Sequence, residues 1–159
     1  MSEKLIIDNF AGIKHMELDI GRINILIGPQ ASGKSVCAKL HYYFVDFIFY
    51  LIEAEIKKFS KTVISKDRKK KFSEYFPILS WGDDNFIIRY ENDGDWILLE
   101  RMGSTSRKIK LNYSESFKAH LNETIQNISK LLDPIKEIYP DFDFPDNLFG
   151  SLPIDDLLD

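Results

Sequence analysis

The sequence predicts an α/β domain: N-terminal antiparallel strands, a central buried strand, a long helix, an antiparallel meander and a C-terminal helix. Three observations predict it. Met16, Leu18 and Ile20 alternate with Glu17 and Asp19, the two-residue period of a half-buried strand. The run Ile23-Asn24-Ile25-Leu26-Ile27 is almost wholly apolar and leads straight into a glycine-rich turn, then into a long apolar stretch from Val36. Phe86 to Tyr90 and Trp96 to Glu100 flank Asn92-Asp93-Gly94-Asp95, and Asp-Gly between two such runs marks a tight hairpin.

The elements follow in order. Leu5-Ile6-Ile7 reads as the first strand and Ala11-Gly12 as the turn that returns the chain to the second. Gly21-Arg22 turns it again, and Ile23 to Ile27 has the composition of a strand covered on both faces. A helix is expected from about Gly33 to Lys58, apolar around most of its circumference and therefore largely buried. Lys39, Asp46, Glu53 and Glu55 interrupt it, and each charge is costly in lipid, so it reads as a soluble core helix rather than a membrane span. Between Lys57 and Lys71 lie eight basic residues and one acid, Asp67, which suggests a polar connection, either a helical turn or a mobile loop. Phe72, Tyr75 and Phe76 suit a second short helix, limited by Pro77. Lys108 to Leu111 is the third strand of the meander. From Ser114, Phe117, Leu121, Ile125, Ile128, Leu131, Leu132 and Ile135 step by three or four and mark one face of a helix that Pro134 should break or kink. Residues 1–139 form the lobe. Residues 140–159, with six Asp and no Lys or Arg, are expected to be an irregular acidic tail.

The 159 residues suit one domain, and 44% hydrophobic with 29% charged residues fits a globular protein. The net charge of −4 hides an asymmetry: removing the tail leaves the body at +2. That balance neither demands nor excludes nucleic acid. Cys37 is the only cysteine, so no intrachain disulfide can form, and a reducing cytoplasmic setting is expected. Met1-Ser2-Glu3-Lys4 carries no apolar leader. His15, His41 and His120 are scattered, and no metal-ligand spacing is present.

The chemistry is concentrated in Gly28-Pro29-Gln30-Ala31-Ser32-Gly33-Lys34-Ser35, which fits G-x-x-x-x-G-K-[ST]. Glycines let the backbone fold tightly so that amide N–H groups can cradle phosphate oxygens. The helix that follows, with Val36 in its first turn, aims its positive end at the same anion. Lys34 is expected to reach the β- and γ-phosphates. The Ser35 hydroxyl is expected to hold Mg²⁺, making ATP with magnesium the expected ligand. Chance produces such a match on the order of once in two hundred chains of this length. An apolar strand before the turn and a helix after it are the context the motif needs, and both are expected here. This makes the domain a P-loop NTPase lobe.

Residues 4–45, KLIIDNFAGIKHMELDIGRINILIGPQASGKSVCAKLHYYF, resemble the N-terminal lobe of SMC/RecF-like ATPases, the ABC-type heads that include the OLD-family nucleases. Such lobes open with a strand ending in Asn-Phe, here Asn9-Phe10. A second antiparallel strand follows, and a third delivers the phosphate loop. Two positions depart from the pattern. Ala11 stands where Arg is common, leaving Lys14 as the nearest basic candidate to approach the nucleotide, and Gln30 stands where Asn is common. The resemblance implies Mg-ATP binding, ATP-dependent pairing with a second head, and possible contact with nucleic acid through the basic stretch from Lys57 to Lys71. It also implies parts that this chain lacks: a signature Ser-Gly-Gly segment, a Walker B aspartate with its catalytic glutamate, a Q-loop and a switch histidine. Trp96-Ile97-Leu98-Leu99-Glu100 has the four-apolar-plus-acid form of a Walker B strand, but the preceding turn makes an antiparallel hairpin strand the better account of Glu100. Hydrolysis is therefore expected to require a C-terminal lobe or a partner. Two other classes remain open: a self-contained small P-loop kinase in which Glu100 matters, and a non-catalytic nucleotide-sensing subunit.

Overall fold

A computed structural model describes residues 2–57, 59–82, 84–101, 103 and 108–138. It is an α/β fold of two layers. Strands β1 (Glu3–Phe10), β2 (Ile13–Ile20), β3 (Phe86–Asn92), β4 (Asp95–Arg101) and β5 (Lys110–Tyr113) form one antiparallel sheet in the order β2-β1-β3-β4-β5. Helices α1 (Lys34–Ile56), α2 (Lys61–Tyr75) and α3 (Glu115–Ile138) account for most of the rest.

The two hairpins form where the turn chemistry demands. Phe10 pairs with Ile13 across Ala11 (φ 50°) and Gly12 (φ 83°). Asn92 pairs with Asp95 across Asp93 (φ 47°) and Gly94 (φ 91°). Both loops have two residues with left-handed φ, the twist that matches the flanking strands.

Alternation then sorts the side chains. Leu5, Ile7, Ile88, Tyr90, Ile97 and Leu99 face the helices and are buried. The opposite face is laced with ion pairs: Lys4 with Glu17 and Asp19, Arg89 with Glu91, Lys110 with Glu100. Exposed pairs of this kind contribute little to stability and mark a solvated face.

The core is aromatic. Phe10 lies 4.9 Å from Phe86, 5.3 Å from Phe76 and 5.7 Å from Phe72, centroid to centroid, and is fully buried. Trp81 closes the same cluster and donates Nε1–H to the Phe76 carbonyl at 2.7 Å. From α1, Leu40, Tyr43, Phe44, Phe47 and Leu51 complete it. By length and composition α1 could cross a membrane; in this fold its inner side chains are buried against the sheet, while Phe49 is 43% exposed.

Several expectations are corrected. The stretch from Lys57 to Lys71 is no mere connection, for most of it belongs to one helix, α2, that runs on to Tyr75. Ser60 caps α2, its Oγ accepting from Val63 N–H at 3.4 Å. The inward stripe is Ile64, Arg68 and Phe72. Arg68 survives burial because Asp46 of α1 accepts from its Nη1 at 2.7 Å and its guanidinium lies 3.7 Å from the Tyr50 ring centroid. The third meander strand starts at Lys110 rather than Lys108. Helix α3 continues through Pro134 to Ile138, and Leu131 on its expected apolar face is exposed. The largest correction concerns residues 23–27, expected as a central buried strand. They join no strand, and Ile23, Ile25 and Ile27 are 85%, 77% and 90% exposed. The run joins none of the five paired strands, and only Leu26 of its apolar side chains packs against the core. The expected acidic tail, residues 140–159, lies outside the described residues.

Helix α3 is anchored at its start. The Ser114 hydroxyl accepts from Phe117 N–H at 3.1 Å, as a capping residue does, and from Trp96 N–H at 3.2 Å. One turn on, His120 Nδ1 meets Asp95 Oδ2 at 2.7 Å. The hydrogen bond to Asp95, reinforced by its charge, holds the His120 pKa above the ordinary histidine value. A folded-state pKa above the unfolded one stabilises fully below the unfolded value, and that contribution is lost as pH rises through the folded value. An NMR titration of the His120 ring should therefore give a pKa above 6.5 that returns toward 6.5 in Asp95→Asn. The wild-type stability advantage over the variant should shrink as pH rises through the His120 pKa.

Candidate phosphate-binding loop

The turn between the unpaired run and α1 folds around one ammonium group. Lys34, the first residue of α1, donates from Nζ to the Gly28 carbonyl at 2.8 Å, the Pro29 carbonyl at 2.5 Å and the Ser32 hydroxyl at 3.1 Å. An ammonium has three protons, and the loop engages all of them. The loop thus closes on its own cation at the N-terminus of a 23-residue helix.

Backbone conformation fixes this shape. Gly33 has φ +85°, and a Cβ built on it would lie 2.7 Å from Ile13 Cδ1 and 2.9 Å from Cγ1. Two constraints therefore require glycine at once: a left-handed backbone and close approach to the start of β2. Ala31 is also left-handed, at φ 61°. Left-handed residues inside a turn are how successive amides come to face one anion. The Gly33 carbonyl accepts from Cys37 N–H at 3.0 Å, so the first helical hydrogen bond starts within the motif.

The loop and the hairpin of β1 and β2 are joined through Ile13 and Cys37. The Cys37 thiol is buried and donates to Met16 Sδ at 3.1 Å. Burial pushes its pKa up, so it is a packing residue rather than a reactive thiolate. Further along α1, His41 Nε2 meets Glu3 Oε1 at 2.6 Å, and the Tyr90 hydroxyl donates to the same oxygen at 2.8 Å. This polar junction pins α1 to β1 and β3 two turns beyond the loop. The sequence hides it, because Glu3, His41 and Tyr90 are far apart in the chain.

The expected site residues fall into two groups. Residues 28–36 are contiguous around the α1 N-terminus, with Gln30, Ser32 and Ser35 exposed and Val36 half-buried against the core. Lys14 is exposed on β2, one residue past Ile13, and among the described residues no hydrogen bond or ion pair joins it to the loop. Glu100 belongs elsewhere. It sits on β4, separated from β2 by β1 and β3, and it accepts from Asn112 Nδ2 at 3.1 Å and pairs with Lys110 at 3.3 Å. Among the described residues no group of three or more His, Cys, Asp or Glu is arranged to hold a metal ion. Compared with family models, with curated proteins and with solved structures, the chain matches none.

The crowding at Gly33 is testable. Gly33→Ala should lower stability in urea unfolding by at least ~1–2 kcal/mol, the cost of a left-handed L-residue, with the Ile13 contact adding to it. In a double-mutant cycle with Ile13→Ala the two losses should fall short of their sum, because the second substitution relieves the clash made by the first.

Proposed function

We propose that residues 28–35 bind the triphosphate of Mg-ATP and that the chain is the N-terminal nucleotide-binding lobe of an SMC/RecF-like ATPase. One observation carries the reading: a glycine-bearing loop closed around a lysine ammonium at the start of a long helix. An ammonium held only by loop carbonyls and a hydroxyl can exchange those acceptors for phosphate oxygens, which carry full negative charge and make stronger hydrogen bonds. The free amides of the first helical turn and the helix dipole favour the same anion. Ser35 is exposed in that first turn, and in this reading its hydroxyl would hold Mg²⁺. The metal would neutralise and bridge the phosphates.

Hydrolysis asks for more than phosphate binding: a positioned water and a group that senses the γ-phosphate. Glu100 is engaged on the far side of the sheet and fills neither role in this reading. The bare isoleucines support a lobe that is completed from outside. Residues 23–27 make no ladder hydrogen bonds and present Ile23, Ile25 and Ile27 to solvent while Leu26 packs inward. Burying three such side chains would contribute about 1.5–3 kcal/mol each. A second lobe that covers them would sit directly against the loop, and ATP held between the two would couple nucleotide binding to assembly.

Titration with Mg-ATP should show saturable binding that Lys34→Ala weakens about 10- to 100-fold, the loss of charge-assisted hydrogen bonds worth ~1.5–3 kcal/mol. No affinity for any triphosphate would sink the proposal. Steady turnover by the isolated chain would overturn the half-site reading, and phosphorylated product from it would favour the kinase reading. The exposed stripe has its own test: replacing Ile23, Ile25 and Ile27 together by serine should leave the melting temperature nearly unchanged and reduce binding of an apolar dye. A large loss of stability would mean that the stripe is already covered.

A further inference from the structure

Helices α1 and α3 and the hairpin of β3 and β4 bound a cavity of about 170 Å³. Ile48 and Ile52 of α1, Ile97 of β4, and Phe117 and Leu121 of α3 line it. An apolar cavity of about 150 Å³ takes up benzene, so this space suits one six-membered ring. It lies far from the phosphate loop, because Ile48 is 14 residues past Lys34, about 21 Å along α1.

The rest of the lining is polar, and part of its hydrogen-bonding capacity is unspent. Strand alternation sets Asn92 on the same side as Ile88 and Tyr90, and among the described residues its side-chain amide makes no hydrogen bond. His120 meets Asp95 Oδ2 through Nδ1 at 2.7 Å, which leaves Nε2 without a partner among the described residues. Thr124 donates its hydroxyl to the His120 carbonyl at 2.9 Å and keeps only acceptor capacity. Few polar groups on an otherwise apolar wall are the usual make-up of a small-molecule site.

Charge narrows the ligand. The charged groups facing His120 are Asp95 from β4 and Glu123 from α3 itself, while α1 and β3 bring only Ile48, Ile52, Tyr90 and Asn92 to the cavity. No lysine or arginine lines it among the described residues. An anionic head would meet two carboxylates and at most one imidazolium. An ammonium would find Asp95 already engaged by His120. A hydroxyl meets neither obstacle: it donates to a neutral imidazole nitrogen or accepts from a protonated one, and it pairs with an amide in either sense.

We propose that this cavity binds a small neutral aromatic alcohol, its ring against the isoleucines and Phe117 and its hydroxyl at the Asn92 and His120 edge. The site is separate from the nucleotide loop and stands or falls without ATP.

Phenol is the probe, since phenols ionise only near pH 10, as tyrosine does. NMR titration of the full chain should shift the His120 ring and Asn92 amide signals saturably, with a dissociation constant on the order of 1 mM for so small a ligand. Toluene, though more apolar, should bind more weakly, and benzoate and benzylamine at least 10-fold more weakly. Phenol affinity should change little as pH crosses the His120 pKa. Asn92→Ala should weaken phenol about 3- to 10-fold, the loss of one hydrogen bond, and leave toluene unchanged. Ile48→Phe, which fills the cavity from α1, should abolish binding of both while the wild-type circular dichroism spectrum is kept. Absence of saturable shifts would overturn the site. Benzoate or benzylamine binding more tightly than phenol would overturn the ligand class, and so would full phenol affinity in Asn92→Ala.

Discussion

The burial of Phe10 is the constraint on which the remaining architecture depends. It ends β1, precedes the Ala11-Gly12 turn, and touches rings from α2, from the segment after α2 and from β3. A phenylalanine buried this fully contributes on the order of 3–5 kcal/mol. Its position also sets the turn, the turn sets Ile13, and Ile13 leaves room only for a glycine at position 33. The glycine-lysine loop therefore packs against a hairpin that an aromatic cluster anchors. Phe10, the second residue of the Asn9-Phe10 pair, has a packing reason to be there, while Asn9 is exposed.

Helix α1 transmits this placement. Its inner side chains fill the space between sheet and helices, and the Glu3–His41–Tyr90 junction fixes it against β1 and β3. A helix held at several points along its length presents its N-terminus in one orientation. That is what an anion site built from helix amides needs, because misaligned amides forfeit most of their hydrogen-bond strength.

Much of this was legible from residue order. Ala11-Gly12 and Asp93-Gly94 turned where their chemistry predicted, Ser114 marked the start of α3, and the glycine-lysine loop announced the helix behind it. The misreadings have physical causes. Helix α2 looked like a polar linker because a buried arginine occupies the middle of its inward stripe. The charge that disguised it is neutralised by Asp46, 22 residues earlier, which no local pattern reveals. Residues 23–27 looked doubly buried because their composition asks for cover on both sides. The composition describes what the run requires, while the described chain supplies only the inner half. Glu100 fitted an acid-ended apolar strand, and only the sheet order places it beside Lys110 and Asn112, away from the loop.

The open isoleucine run has a consequence for the life of the polypeptide. Branched apolar residues on an unpaired backbone without proline or charge are a template on which identical segments can stack into fibres. Left uncovered, this run exposes a nucleus for self-association, so the solubility of the polypeptide depends on what covers it.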